Sequence, residues 1–178
     1  MKKIVLTYGL MAGAIVGGML IITMPLYEKG ILKIDNGQLL GYSTMVIALS
    51  LIFFGVKSYR DSHLKGTITF GNALKLGLLI ALLASFIYAI SWEITYHTMS
   101  GDFIQLMGVQ TIVKLKGQGA SEIEIQEAIK KMNKFAEIYK NPIFRFGITL
   151  LEIFPVGIII SLLSAALLRK KEILPTVH

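Results

Sequence analysis

The chain has 178 residues, 54% of them apolar, a net charge of +7, a mean hydropathy of +0.66 and no cysteine. That hydropathy excludes an ordinary water-soluble domain, and the lack of cysteine excludes a disulfide framework or a thiolate metal site. The positive charge does not point to nucleic acid, because Lys and Arg gather at the ends of apolar stretches, where they set orientation and meet anionic headgroups.

The first stretch, Ile4–Met24, contains no charge. A bilayer's hydrocarbon core is about 30 Å thick and takes roughly 17–25 apolar helical residues to cross. Lys2 and Lys3 before an apolar run also describe a signal peptide, but its end, Met24-Pro25-Leu26-Tyr27, offers no small-x-small cleavage site. The sequence predicts a retained first span. Gly9, Gly13 and Gly17 stand at four-residue spacing within it, a ridge that lets a second backbone approach closely. Packing inside the bundle is the expected use of that ridge, and a dimer seam is the alternative.

Pro25–Gln38 is a short connection in which Lys29 and Lys33 are offset by Glu28 and Asp35. A second charge-free stretch, Leu39–Val56, follows and reads as the second span. The connection Lys57–Asn72 carries Tyr59-Arg60-Asp61 and then Gly66 and Gly71, which read as turn punctuation. Thr67–Phe70 alternates too briefly for a strand. Leu76–Trp92 is the charge-free centre of a third span over about residues 74–96, and Lys75 at its edge can snorkel.

Tyr96–Asn141 reads as a structured insert, helical over about residues 100–140. Gly117-Gln118-Gly119 breaks it, and Ser121-Glu122-Ile123-Glu124 predicts a capping box opening a helix. Ile125, Ala128, Ile129, Met132, Phe135, Ala136 and Tyr139 then fall on one helical face. A weaker pattern in Phe103, Leu106, Met107 and Val113 predicts a helix before the glycines. The expectation is a helical hairpin folded onto the mouth of the bundle, with a groove or lid as its functional alternative.

The fourth span covers about residues 142–168 and holds a single charge, Glu152, within Phe146–Leu168. Gly157, Ser161 and Ala165 form a second small-residue ridge there. Pro155 lacks the N–H that would bond the Leu151 carbonyl, so a kink near Gly157 is expected to open a small polar space. An intramembrane carboxyl is expected to turn inward toward a partner. With Pro155 at the middle of the last span, Glu152 lies about 5 Å outward of it, at 1.5 Å per residue. Counted the same way from Ser85, the midpoint of the third span, Tyr88 also lies about 5 Å outward. A phenol bonds either charge state of a carboxyl, so Glu152, Tyr88 and, one turn deeper, Ser85 are the candidate intramembrane polar site. Glu93 and Arg145 both fall near span ends and form a candidate ion pair.

Charge fixes the expected orientation. Lys2, Lys3, Lys57, Arg60, Lys65, Lys75, Arg169, Lys170 and Lys171 fall on one side, so both termini are expected in the cytoplasm and the insert outside. Tyr27, Trp92 and Tyr96 then sit where interfacial aromatic anchors belong.

The first-span glycine ridge, Tyr59-Arg60-Asp61, Gly66-x-x-x-Phe70-Gly71, Trp92 and Glu152-x-Phe154-Pro155-x-Gly157 resemble a family of small bacterial membrane proteins, the domain-of-unknown-function-4199 family. The resemblance covers almost the whole chain and implies four membrane helices in a bacterial inner membrane. It implies no activity, ligand or catalytic residue.

The fold expected is therefore an all-α, integral membrane four-helix bundle, one membrane domain with a helical extracytoplasmic insert between spans three and four. His63, His97 and His178 are scattered without metal-ligand spacing, and no P-loop, dinucleotide fingerprint or nucleophile elbow occurs. No catalytic residue, cofactor, metal or nucleic-acid partner is expected. The expected partners are the lipid bilayer and a second copy or another membrane protein. The function expected is non-enzymatic, acting by helix packing or partner binding in an envelope or accessory role. The alternative is a small proton- or cation-coupled transporter using Glu152.

Overall fold

The computed structural model describes residues 1–32, 34–98 and 103–169. Lys33, Lys170, Lys171 and His178, and the side chains of Asp35, Phe103 and Leu106, lie outside the described residues. The elements in chain order are α1 (Lys2–Glu28), α2 (Ile34–Leu49), α3 (Leu51–His63), α4 (Phe70–Thr98), α5 (Phe103–Gly117), α6 (Glu122–Tyr139) and α7 (Pro142–Leu168). Four helical stretches are long and apolar enough to cross a membrane: Lys2–Tyr27, Leu39–His63, Phe70–Thr98 and Pro142–Leu168. The chain is an all-α, multi-pass membrane protein.

The helices outrun the apolar stretches that mark them, each for a local reason. α1 continues through Pro25 to Glu28 and loses only the bond to the Ile21 carbonyl. The second span extends past Val56 to His63, so the connection to α4 is Leu64–Thr69 and not Lys57–Asn72. Arg60 ties that extension to the end of α7, donating through Nη1 to the Leu168 carbonyl at 3.5 Å, where a cation complements unpaired helix carbonyls. Gly66, at φ +85°, makes the turn. Gly71 instead lies in the first turn of α4, which opens with the Asn72 N–H donating to Thr69 Oγ1 at 3.3 Å. Within the second span the helix tightens at Ser50. The Ser50 hydroxyl donates to the Ile47 carbonyl at 2.6 Å, and the Phe53 N–H bonds only three residues back, to the Ser50 carbonyl at 3.0 Å.

α4 is the hub. It lies along α1 on one side and α7 on the other; α3 packs over it, and α2 packs on α1 and α7. Small residues make both seams close. A methyl group on Gly9 would stand 2.7 Å from Leu83 Cδ2, one on Gly13 2.7 Å from Ile87 Cδ1, and one on Gly17 would collide with the Ser91 hydroxyl. The four-residue glycine spacing of α1 is thus matched by Leu83, Ile87 and Ser91 of α4. On the other side, a methyl on Gly157 would stand 2.7 Å from Ala81 Cβ, and one on Gly77 2.9 Å from Ser161 Cβ. At Gly157 itself α4 therefore packs close against α7.

α5 and α6 pack on each other, and α6 also packs on α7. Gly119, at φ +76°, turns the chain between them. The capping box forms: Glu124 N–H donates to Ser121 Oγ at 3.4 Å, and Ser121 N–H donates to Glu124 Oε2 at 2.7 Å. Ile125 and Tyr139 are buried and Met132 covers Gly108, so α6 turns its apolar face inward. Phe135 and Val113, assigned to the apolar stripes, are exposed. α5 turns Ile104 and Gly108 inward instead.

Candidate functional site

The polar side chains of the bundle collect on the seam between α4 and α7, toward the end that carries the α5–α6 hairpin. Asn141 caps α7 by accepting the Ile143 N–H at 2.9 Å, and Pro142 supplies a first-turn residue that needs no donor. This fixes Arg145 one turn in, facing Glu93 near the end of α4. Arg145 donates from Nε to Glu93 Oε1 at 2.8 Å and from Nη2 to Oε2 at 2.6 Å, a two-point pair. Its Nη1 donates to the Tyr139 carbonyl at 3.1 Å, and its guanidinium carbon lies 3.9 Å from the Tyr96 ring centre. Arg145 is 2% exposed, and each direction of its fork has a partner.

One turn deeper, Trp92 Nε1 donates to the Tyr139 hydroxyl at 2.7 Å. Thr149, one turn along α7 from Arg145, donates to the Arg145 carbonyl at 2.9 Å. Burial pushes the Tyr139 phenol up to about 12. Trp92 is buried here and is not the interfacial anchor expected of it; Tyr96 is half-buried over Arg145.

Deeper again, the Tyr88 hydroxyl donates to Glu152 Oε2 at 3.5 Å, a long hydrogen bond. The structure brings this candidate pair together, but it does not enclose Glu152. Tyr88 is buried, whereas Glu152 is exposed on α7. α2 packs on α1 and α7 without lying along α4. Tyr42 of α2, itself exposed, is within electrostatic reach of Tyr88. Ser85 is wholly buried and donates to the Ala81 carbonyl at 2.8 Å, so its proton is committed to its own helix. Ser161 likewise donates to the Gly157 carbonyl at 2.7 Å. Among the described residues, no three His, Asp or Glu converge as metal ligands would.

A family model described as "Protein of unknown function (DUF4199)" matches residues 7–170. The chain belongs to the DUF4199 family. No curated protein and no solved structure matches it. The matched segment runs from within the first span through the other three and takes in the hairpin and the polar seam of this DUF4199 protein.

Trp92, Tyr139 and Thr149 also belong to the seam, a place the sequence does not mark for them. Tyr139 lay in an apolar helical stripe, and nothing in the spacing told its hydroxyl from the hydrophobic body of the ring. Thr149 sits one turn from both Arg145 and Glu152, and that offset is the signal that could have found it.

Proposed function

We propose that this protein is a non-enzymatic subunit or maintenance factor of a bacterial inner membrane, acting by contact with a partner inside the bilayer. In this reading both termini are cytoplasmic and the α5–α6 hairpin lies outside, as the distribution of Lys and Arg supports. The observation that carries the partner reading is where Glu152 sits. The glycine ridge of α1 and the small residues of α7 face α4 within one chain, which leaves them little to offer a second molecule. Glu152 instead presents a hydrogen-bonding carboxyl on an exposed face at membrane depth, where hydrocarbon provides no partner. A neighbouring span with a polar group there would answer it.

Photo-crosslinking in living cells tests this. A benzophenone amino acid at Tyr42 or Ile159, the latter two turns from Glu152 on the same side of α7, should give discrete protein adducts that vanish in Glu152→Leu. The same probe at Leu82, exposed on α4, should give none. Adducts of equal yield from both faces, or none from Tyr42 and Ile159, would reject the reading.

A second reading, a small proton- or cation-coupled transporter, is favoured by the Tyr88–Glu152 hydrogen bond. Proton flux in liposomes carrying wild type against Glu152→Gln tests it, with equal flux counting against transport.

A further inference from the structure

The two helices of the hairpin differ in character. α6 carries charge of both signs on its outer face, with Glu127, Lys130 and Lys134 exposed, as suits a helix with one side in water. α5 has no acidic residue, and its only charges, Lys114 and Lys116, stand in its last turn. One side of α5 meets the protein. Ile104 is buried in the same core as Trp92 and Tyr139, and Met132 of α6 covers Gly108. The other side is apolar as well. Val109 and Val113, one turn apart, are 62% and 63% exposed, and by helical spacing Val113 stands opposite Ile104. A helix that is apolar on both sides belongs in a core or against lipid.

Length, depth and charge select lipid. α5 has 15 residues, about 22 Å at 1.5 Å per residue, too short to cross a hydrocarbon core of about 30 Å. Through Ile104 it leaves the bundle beside the Trp92–Tyr139 hydrogen bond. At that same end Ile143 and Phe144, in the first turn of α7, are 80% and 58% exposed and open the apolar outer surface of the fourth span. The exposed side of α5 therefore continues a surface that already faces hydrocarbon. Two lysines on a helix without an acid suit the phosphates of anionic headgroups. Two valines offer far less than the roughly 800 Å² per partner of a stable protein interface.

We propose that α5 is an in-plane interfacial helix, seated on the bilayer surface beside the mouth of the bundle. Val109 and Val113 enter the boundary between headgroups and acyl chains, and Lys114 and Lys116 meet the phosphates of anionic lipid. α6 lies over α5 and turns its charged face to water. The hairpin is then a lipid-contacting shelf, and it depends neither on Glu152 nor on which side of the membrane carries it.

The test places single cysteines in the full-length protein at Val109 and Val113 of α5 and at Lys130 and Lys134 of α6, all exposed, and labels each with a fluorophore. The protein is reconstituted in vesicles of phosphatidylcholine and phosphatidylglycerol. Two quenchers are compared, aqueous iodide and a lipid carrying a nitroxide near the top of its acyl chain. Probes on α5 should be quenched severalfold more by the nitroxide lipid than by iodide, and probes on α6 the reverse. α5 probes open to iodide and insensitive to the nitroxide lipid would put the hairpin in water and overturn the proposal. Probes screened from both quenchers, or disulfide-linked dimers of Val113→Cys, would assign the face to a second copy and overturn it too. Lys114→Glu/Lys116→Glu tests the headgroup contact. It should raise iodide quenching at the Val113 probe severalfold in vesicles containing phosphatidylglycerol and leave it unchanged in phosphatidylcholine alone. The same response in both lipids would remove the anionic contact from the account.

Discussion

Arg145 keeps its charge almost wholly out of water because its fork is fully answered, by two Glu93 oxygens, the Tyr139 carbonyl and the face of Tyr96. Removing one partner of such a pair strands the other, which costs about 3–5 kcal/mol in buried settings. Glu93→Ala should therefore lower stability in detergent by an amount of that order, read as an earlier thermal or denaturant midpoint. A midpoint unchanged within error would show that the pair is solvated and carries little. Tyr139 supplies a pH signature. A phenol ordinarily ionises near 10, and burial raises Tyr139 to about 12. Its neutral form is the one the fold prefers, so its contribution is complete below about pH 10 and is lost as pH rises through about 12. Alkaline unfolding of wild type should steepen over that window, and Tyr139→Phe should flatten it; identical alkaline profiles would contradict this.

Among the elements, α4 orders the rest, and its seam with α1 can be tested glycine by glycine. Gly13 faces Ile87 at a distance that leaves no room for a methyl group, whereas Gly18 has nothing within 4 Å. Gly13→Ala should destabilise the bundle by about 1–3 kcal/mol through overpacking, and Gly18→Ala should be neutral or mildly stabilising through helix propensity. Equal effects at the two positions would place the ridge elsewhere. The helices themselves were legible because spans declare themselves by length and apolarity. The Ser121 cap was legible because its motif is local. The depth match of Tyr88 and Glu152 was legible too, since helical rise is constant and two midpoints suffice. What could not be read is how α2 sits. It packs against α1 and α7 at once, a long-range arrangement that no local pattern encodes. The docking of α6, which turns Tyr139 from a stripe residue into the acceptor for Trp92, is a long-range event of the same kind.

At the scale of the molecule, the proposed topology turns on which side of the membrane carries the hairpin. The positive-inside argument places α5 and α6 outside and the α3–α4 turn inside. The chain has no cysteine, so single substitutions report without background. Cysteines are introduced one at a time at Ser62 and Arg169, at one end of the bundle, and at Ser121 and Asn133 on the hairpin, all four exposed. Intact spheroplasts are then treated with a membrane-impermeant thiol reagent. Labelling at Ser121 and Asn133, with Ser62 and Arg169 protected until the membrane is opened, is the result this topology requires. Labelling of Ser62 and Arg169 with the hairpin positions protected would contradict it and invert the protein.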